Sequence, residues 1–259
     1  MKKERKKTAN PIRIPKSNEV RYRRQLQALA LRLIRDVRSK VIPVLKQYET
    51  EYVNDAYATV LEEVFDALRR EYNDVAKTAK NVSQQFVDGV NRTNRQRFYT
   101  SMEQAVGLNL QNIIQDEDLN DILRATTREN VNLINSIPDE YLKNIESIVF
   151  TGTTRGTKFG SMMTQIAKAG RVSNNKAKLI ARDQTTKLNS ALNQQRQQNL
   201  GIEEYVWITA QDGDRVRESH RKNHGKTFRW DRPPKETGHP GNDINCRCVA
   251  KPIIKLENL

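Results

Sequence analysis

The sequence predicts an α+β protein: an extended, mainly α-helical N-terminal region followed by a small C-terminal α+β module. Three observations predict it. Apolar residues recur at three- and four-residue steps through most of the first 200 positions, the period of a helix with one buried stripe. Hydrophobic residues make up 36% and aromatic residues 6% of the 259-residue chain, against 29% charged, a balance that suits long helices with thin apolar faces. After Gly201 the pattern changes to short β-branched and aromatic runs broken by Gly, Pro and Asp.

Residues 1–18 read as a basic flexible arm. Lys2, Lys3, Arg5, Lys6, Lys7, Arg13, Lys16, Arg21, Arg23 and Arg24 face only Glu4 and Glu19, and Pro11 and Pro15 favour extended backbone. Over the whole chain Lys and Arg outnumber Asp and Glu by 45 to 31, a net charge of +14. That excess points to a polyanionic partner, DNA first, because cations placed on phosphates release condensed counterions. The named cations are therefore the candidate nucleic-acid or partner-binding residues. The arm carries no aromatic or aliphatic anchor among its lysines, as a membrane-surface segment needs. No run approaches the roughly 18 apolar residues of a membrane span, and the N-terminus lacks the apolar middle of a secretion signal. The expectation is a protein made and used in a cytoplasm.

Residues 19–150 read as the helical region. Leu26, Leu29, Leu33 and Val37 form one stripe, widened by Ala30 and Ile34, with a kink or stop at Pro43. Val53, Ala56, Val60, Val64 and Leu68 form a second, and Val75, Ala79, Val82, Phe86 and Val90 a third. Tyr52, Tyr57 and Tyr72 at helical spacing fit a core better than a base-stacking surface. A helix from Leu119 to Ile134 follows Asp116, Glu117 and Asp118, whose charge favours a helix N-terminus. Pro138 opens a short helix through Tyr141, Ile145 and Val149.

Residues 151–200 read as a hinge and a helix pair. The Gly/Thr-rich run TGTTRGTKFG makes the turn, and without a Gly-Lys-Ser/Thr ending it is no nucleotide loop. One helix runs from about Thr157 to a stop at Gly170. Ser173 caps the next, which passes Ala177, Ile180, Ala181, Leu188 and Leu192 to end at Gly201.

Residues 201–259 form the α+β module. Glu204 to Thr209 is a strand, Asp212-Gly213 a turn, and Arg215 to Asn223 a short helix terminated by Gly225. Phe228 and Trp230 mark a second strand before Pro233-Pro234, and Cys246 to Ala250 a third, closed by Pro252. So small a module needs reinforcement. Both cysteines, all three histidines and both tryptophans of the chain lie between Trp207 and Cys248.

These residues allow more than one chemistry. His220, His239, Cys246 and Cys248 form a candidate set for structural zinc, which takes His and Cys ligands tetrahedrally, and His224 competes for a place. The spacing is not that of a zinc finger; Cys-x-Cys on a strand puts both thiols on one face, which allows chelation without demanding it. The packing alternative makes the cysteines small buried residues, with His220 hydrogen-bonded to the loop of Pro240-Gly241. An enzyme reading takes His220 and His224, with Asn223, Asp243 and Asn245, as a one-metal nuclease, or a cysteine activated by His220 as a nucleophile. Neither has an evident metal hairpin or orienting acid. A metal-dependent DNA-processing nuclease and a generic nucleic-acid-binding protein stand as the alternatives to a non-enzymatic structural protein.

An ordered string of motifs from Lys178 to Pro252 resembles the phage Mu F-like minor head protein family of tailed bacteriophages, also called phage head morphogenesis proteins. It comprises Ile180 to Gln184 (IARDQ) with Leu188 and Asn189, Gly201-Ile202, Trp207, Asp214 to Arg217, Ser219-His220, Gly225-Lys226, Phe228, Trp230 and Pro233-Pro234. It closes with Pro240 to Ala250 (PGNDINCRCVA) and Pro252. The resemblance covers about the last third of the chain. It implies a structural, non-enzymatic virion component inside the head, assembled in the host cytoplasm and associated with the portal protein. It further implies contact with the capsid interior or scaffold and with DNA, and a role in head assembly and in DNA packaging or ejection. Some relatives have cysteines where this chain has Arg217 and His220, and end His-Pro-Asn-Cys-Arg-Cys; here an insertion separates His239-Pro240 from Cys246. One ligand of a four-ligand zinc site is thereby lost and another displaced. Arg247, between the cysteines, is expected to pair with an acid such as Asp212 or Asp214.

Overall fold

The computed structural model describes residues 6–50, 56–73, 75–107, 117–210 and 216–255, the side chains of 48–50, 56, 57 and 76 excepted. Lys2, Lys3, Arg5, Tyr52, Val53, Asp116, the Asp212-Gly213 turn and Asp214 lie outside the described residues. In chain order the elements are β1 (Lys6–Thr8), α1 (Lys16–Thr50), α2 (Ala56–Asn73), α3 (Val75–Val106), α4 (Asn120–Thr154), α5 (Phe159–Asn199), β2 (Glu204–Ile208), α6 (Glu218–Asn223), β3 (Thr227–Arg229) and β4 (Val249–Lys255). They form two compact units, one of Val20–Gln84 and Thr127–Ala181, the other of Met1–Glu19, Gln85–Thr126 and Arg182–Leu259.

The first unit is all-helical. Leu33, Val37, Val41 and Leu45 of α1 pack with Leu61, Phe65, Leu68 and Tyr72 of α2, with Tyr141, Leu142, Ile145 and Val149 of α4, and with Ile166 and Ala169 of α5. The strict four-residue step from Leu33 to Leu45 carries α1 straight through Pro43. A proline inside a helix costs about 3 kcal/mol, and burying Val41 and Leu45 in the same core as Leu33 offsets it. Pro138 likewise opens no new helix; α4 runs through it, with Ile134, Ile137 and Tyr141 buried around it.

Gly170 does not end a helix, and Ser173 caps none, because α5 is continuous from Phe159 to Asn199. A Cβ at Gly170 would stand 3.3 Å from Ile34 Cγ1, so the glycine serves close helix contact rather than termination. Of the hinge and helix pair expected over 151–200 there remain the end of α4, a short turn and this one helix.

The second unit holds the sheet, with strand order β1-β4-β2-β3 and every pairing antiparallel. Residues 6–18 are not a flexible arm in the described structure. Lys6 to Thr8 pair with Ile253 to Lys255, and Ala9, Ile12 and Ile14 are buried. Ala9 and Ile12 join Phe98, Tyr99 and Met102 of α3 with Ile202 and Ile254, and that apolar burial holds a segment whose charge alone suggests solvation.

The last strand begins after the cysteines and continues past Pro252. The Pro252 carbonyl accepts from the Ala9 amide at 3.3 Å. A residue's N–H and C=O point to the same neighbour in an antiparallel strand, so the missing N–H faces Ala9, just beyond the end of β1, and the ladder to β2 loses no bond. Tyr205 and Trp207 of β2, Trp230, Cys246, Cys248 and Ala250 form the core under the sheet.

Candidate metal centre

Trp207, fully buried on β2, stands edge-on to the imidazole of His220, with ring centroids 5.4 Å apart and planes at 87°. His220 is carried by the six-residue helix α6. Its Nε2 lies 2.8 Å from Asp243 Oδ2, and its Nδ1 lies 3.5 Å from Cys246 Sγ and 3.4 Å from Cys248 Sγ. Donation from Nε2 to the carboxylate leaves Nδ1 as the lone-pair nitrogen between the two sulfurs.

The loop before β4 is held from several sides. Asn245 adopts φ 63°, unusual for a residue with a side chain, and its amide donates to Asp183 Oδ1 of α5 at 2.9 Å. The Cys246 amide donates to the Asp243 carbonyl at 3.1 Å, closing a turn that delivers the carboxylate and the first thiol together. Gly241 passes so close to α5 that a Cβ would stand 2.0 Å from Ser190 Oγ.

The two thiols are coupled and their affinities for protons diverge. A hydrogen bond from the Cys248 thiol pulls Cys246 down to about 6 against the effect of burial; the Cys248 amide and His220 act in the same direction. The Cys248 thiol is pushed up, first by that hydrogen bond to Cys246 and then by burial. Of the two thiols, Cys246 is therefore the one that gives up its proton more readily.

The donor set fits zinc. Bonds of about 2.0 Å to imidazole nitrogen and about 2.3 Å to thiolate sulfur give a tetrahedral N···S edge of about 3.5 Å. The observed edges are 3.4 and 3.5 Å, and the three ligand atoms lie within 4.8 Å of one another. A carboxylate on the far nitrogen of a ligand histidine is the usual outer support of such a site. A cavity of about 30 Å³, lined by His220, Cys246 and Cys248 with Arg217 and Asn245, leaves room for a water as fourth ligand.

The other expected ligands lie elsewhere. His239 Nδ1 is 2.9 Å from the Tyr205 hydroxyl and its ring centroid is 4.9 Å from that of Trp230; burial holds its pKa below the usual value. It is outside the convergent set. His224 accepts the Thr209 amide on Nδ1 at 3.1 Å. Arg247 pairs with Glu19; Asp212 and Asp214, the acids expected as its partner, lie outside the described residues.

Of the basic candidates, Lys6 pairs with Glu204 at 3.2 Å, while Lys7, Arg13, Lys16, Arg21 and Arg24 are exposed and Arg23 is partly buried. Three acids are the functional residues that spacing did not single out in these roles: Asp243 behind His220, Asp183 on the Asn245 amide, and Glu19 on Arg247. Only Asp243 has a local signal, three positions before Cys246.

Residues 143–251 match the family model described as phage Mu protein F like protein. This segment is similar to the phage Mu F-like family. Within the Mu F-like segment fall α5, β2, α6, β3 and the whole His220, Cys246 and Cys248 set. A protein of Haemophilus influenzae (strain ATCC 51907 / DSM 11121 / KW20 / Rd), described as an uncharacterized protein, is 30% identical over 254 residues, which is 97% of this chain. The likeness therefore extends through both units, and the chain spans 57% of that relative's length. No solved structure matches. Among the described residues no helix is long and apolar enough to cross a membrane.

Proposed function

We propose that the chain is a structural, non-enzymatic minor head protein of a tailed phage. It associates with the portal protein inside the capsid, contacts the capsid interior or scaffold, and acts in head assembly and in DNA packaging or ejection. The observation that carries this proposal is the Mu F-like segment of residues 143–251, from a family of phage head morphogenesis proteins. Its His220, Cys246 and Cys248 set acts as a zinc-holding lock that fastens α6 to the loop before β4. The same set has the order of a Cys-His-Asp nucleophile, with Asp243 as the orienting acid. Burial of all three ligands beside a cavity of about 30 Å³ leaves no room for a substrate much larger than water.

The direct test is co-expression with the portal protein of the same phage, followed by sedimentation and by protein analysis of purified heads. Co-migration with portal assemblies and presence in filled heads are the expected results. Absence from both would overturn the proposal. A plasmid incubated with the protein and divalent metals should remain intact; cleavage abolished by His220→Ala would replace the structural role with the nuclease.

A further inference from the structure

Arg13 and Lys16, singled out by charge alone, line one cavity together with Arg182 of α5 and Arg247. Its volume is about 540 Å³, within the range of about 300–1,000 Å³ typical of small-molecule sites. Among the described residues no acid lines it, Glu19 neutralises Arg247, and Arg13 and Lys16 are exposed cations on its wall. His224 also borders it, with its Nδ1 accepting the Thr209 amide. The rest of the wall is apolar, from Ile14, Ile208, Ala210 and Val249.

A second cavity, lined on its far side by Gln96, Arg97 and Thr100 of α3, shares Pro11, Arg13, Ile14 and Lys16 with the first. The Arg97 guanidinium donates to the Arg13 carbonyl at 3.0 Å and fixes the backbone between the two. Arg13 and Lys16 thus border both cavities. A polymer of phosphates spaced by apolar sugars and bases suits such a site better than an isolated inorganic anion.

We propose that the cavity is a phosphate-binding site that seats a nucleotide unit. The phosphate lies among Arg13, Lys16 and Arg182, and sugar and base lie against Ile14, Ile208 and Val249. This rests on the role in DNA packaging or ejection proposed above and gives it an address. The phosphate of a nucleic-acid strand and that of a free nucleotide have the same chemistry here, and the test separates them.

Binding of a labelled 20-nucleotide single strand to the full chain is followed by anisotropy over a range of salt concentrations. Arg13→Gln/Lys16→Gln alters two exposed side chains and should leave thermal melting unchanged. Each phosphate neutralised contributes about 0.7 to the salt slope for single strands, so loss of this one phosphate contact should shrink the slope by about 0.7 and affinity should fall about 10-fold or more. Arg182→Gln should weaken binding in the same direction, whereas Arg21→Gln/Arg24→Gln should leave the loss caused by the cavity variants intact. Displacement of the strand by millimolar deoxynucleoside monophosphate supports the site with a free nucleotide as sufficient ligand; retention against both the monophosphate and inorganic phosphate, with the cavity variants weakened, supports it with the strand as ligand. Unchanged DNA affinity in both cavity variants would overturn the site while leaving DNA binding by the chain standing. Failure of the wild-type chain to bind strand, mononucleotide or phosphate would overturn both.

Discussion

Arg247 reaches across 228 residues of sequence to Glu19, its Nη2 lying 2.9 and 2.8 Å from the two carboxylate oxygens. The side chains are only 20% and 9% exposed, so the pair is largely desolvated. Its position between Cys246 and Cys248 ties the cysteine loop to the start of α1. Removing one partner strands the other charge, which costs about 3 kcal/mol for a buried pair. Glu19→Leu and Arg247→Met should each lower the urea midpoint substantially, and Glu19→Leu/Arg247→Met should lose less than their sum. Additive losses would show that the two residues act independently.

A second buried cation centres the polar core of the same unit. Arg196, nearly inaccessible, donates to both carboxylate oxygens of Glu117 at 2.8 and 2.6 Å and to Asn91 and Asn94. Asn94 in turn donates to Asn189 and Asn193 at 2.9 Å each. Burial raises the Glu117 pKa, but hydrogen bonds from Arg196 and Tyr99 outweigh it and hold the carboxyl below its ordinary value of 4.5. The unfolded chain therefore binds more protons in that interval, and stability rises with pH through it. The contribution is complete above the unfolded value and disappears as pH falls through the folded one. Glu117→Gln should flatten the acid limb of the stability curve, measured by urea titration between pH 3 and 6; an unchanged limb would assign acid sensitivity elsewhere.

The glycines near the cysteine loop offer a matched comparison. Gly241 combines φ +92° with a Cβ position 2.0 Å from Ser190 Oγ, whereas Gly225 has φ +77° and nothing within 4 Å. Gly225→Ala should cost about 1 kcal/mol, the backbone penalty alone. Gly241→Ala should cost at least about twice that, because Ser190 or the loop must also move. Thermal melting of the two variants decides it, and equal shifts would contradict the close approach.

Much of the architecture was legible because helical periodicity reports burial directly. The stripe from Leu26 to Val37 and the strand at Glu204 to Ile208 emerge where the pattern places them. Breakers were less informative. Pro43, Pro138 and Gly170 each sit inside a continuous helix, since tertiary burial of Val41 and Leu45, of Tyr141, and against Ile34 outweighs local preference. The charge of residues 6–18 concealed Ala9, Ile12 and Ile14, whose spacing matches neither a helix nor a strand stripe. At the candidate centre the sequence supplied His220, Cys246 and Cys248. It also offered His239, which packs on Trp230 instead, and gave no sign of Glu19 or Asp183, because partners this distant in sequence leave no local spacing to read.

Metal content of the purified full-length chain, measured together with its melting temperature, tests the structural-lock account most directly. The expected result is about one zinc per chain, lost along with several degrees of melting temperature in Cys246→Ser and His220→Ala and on chelation, while His239→Ala retains the metal. A metal-free wild type whose melting is unaffected by chelation and by Cys246→Ser would contradict it.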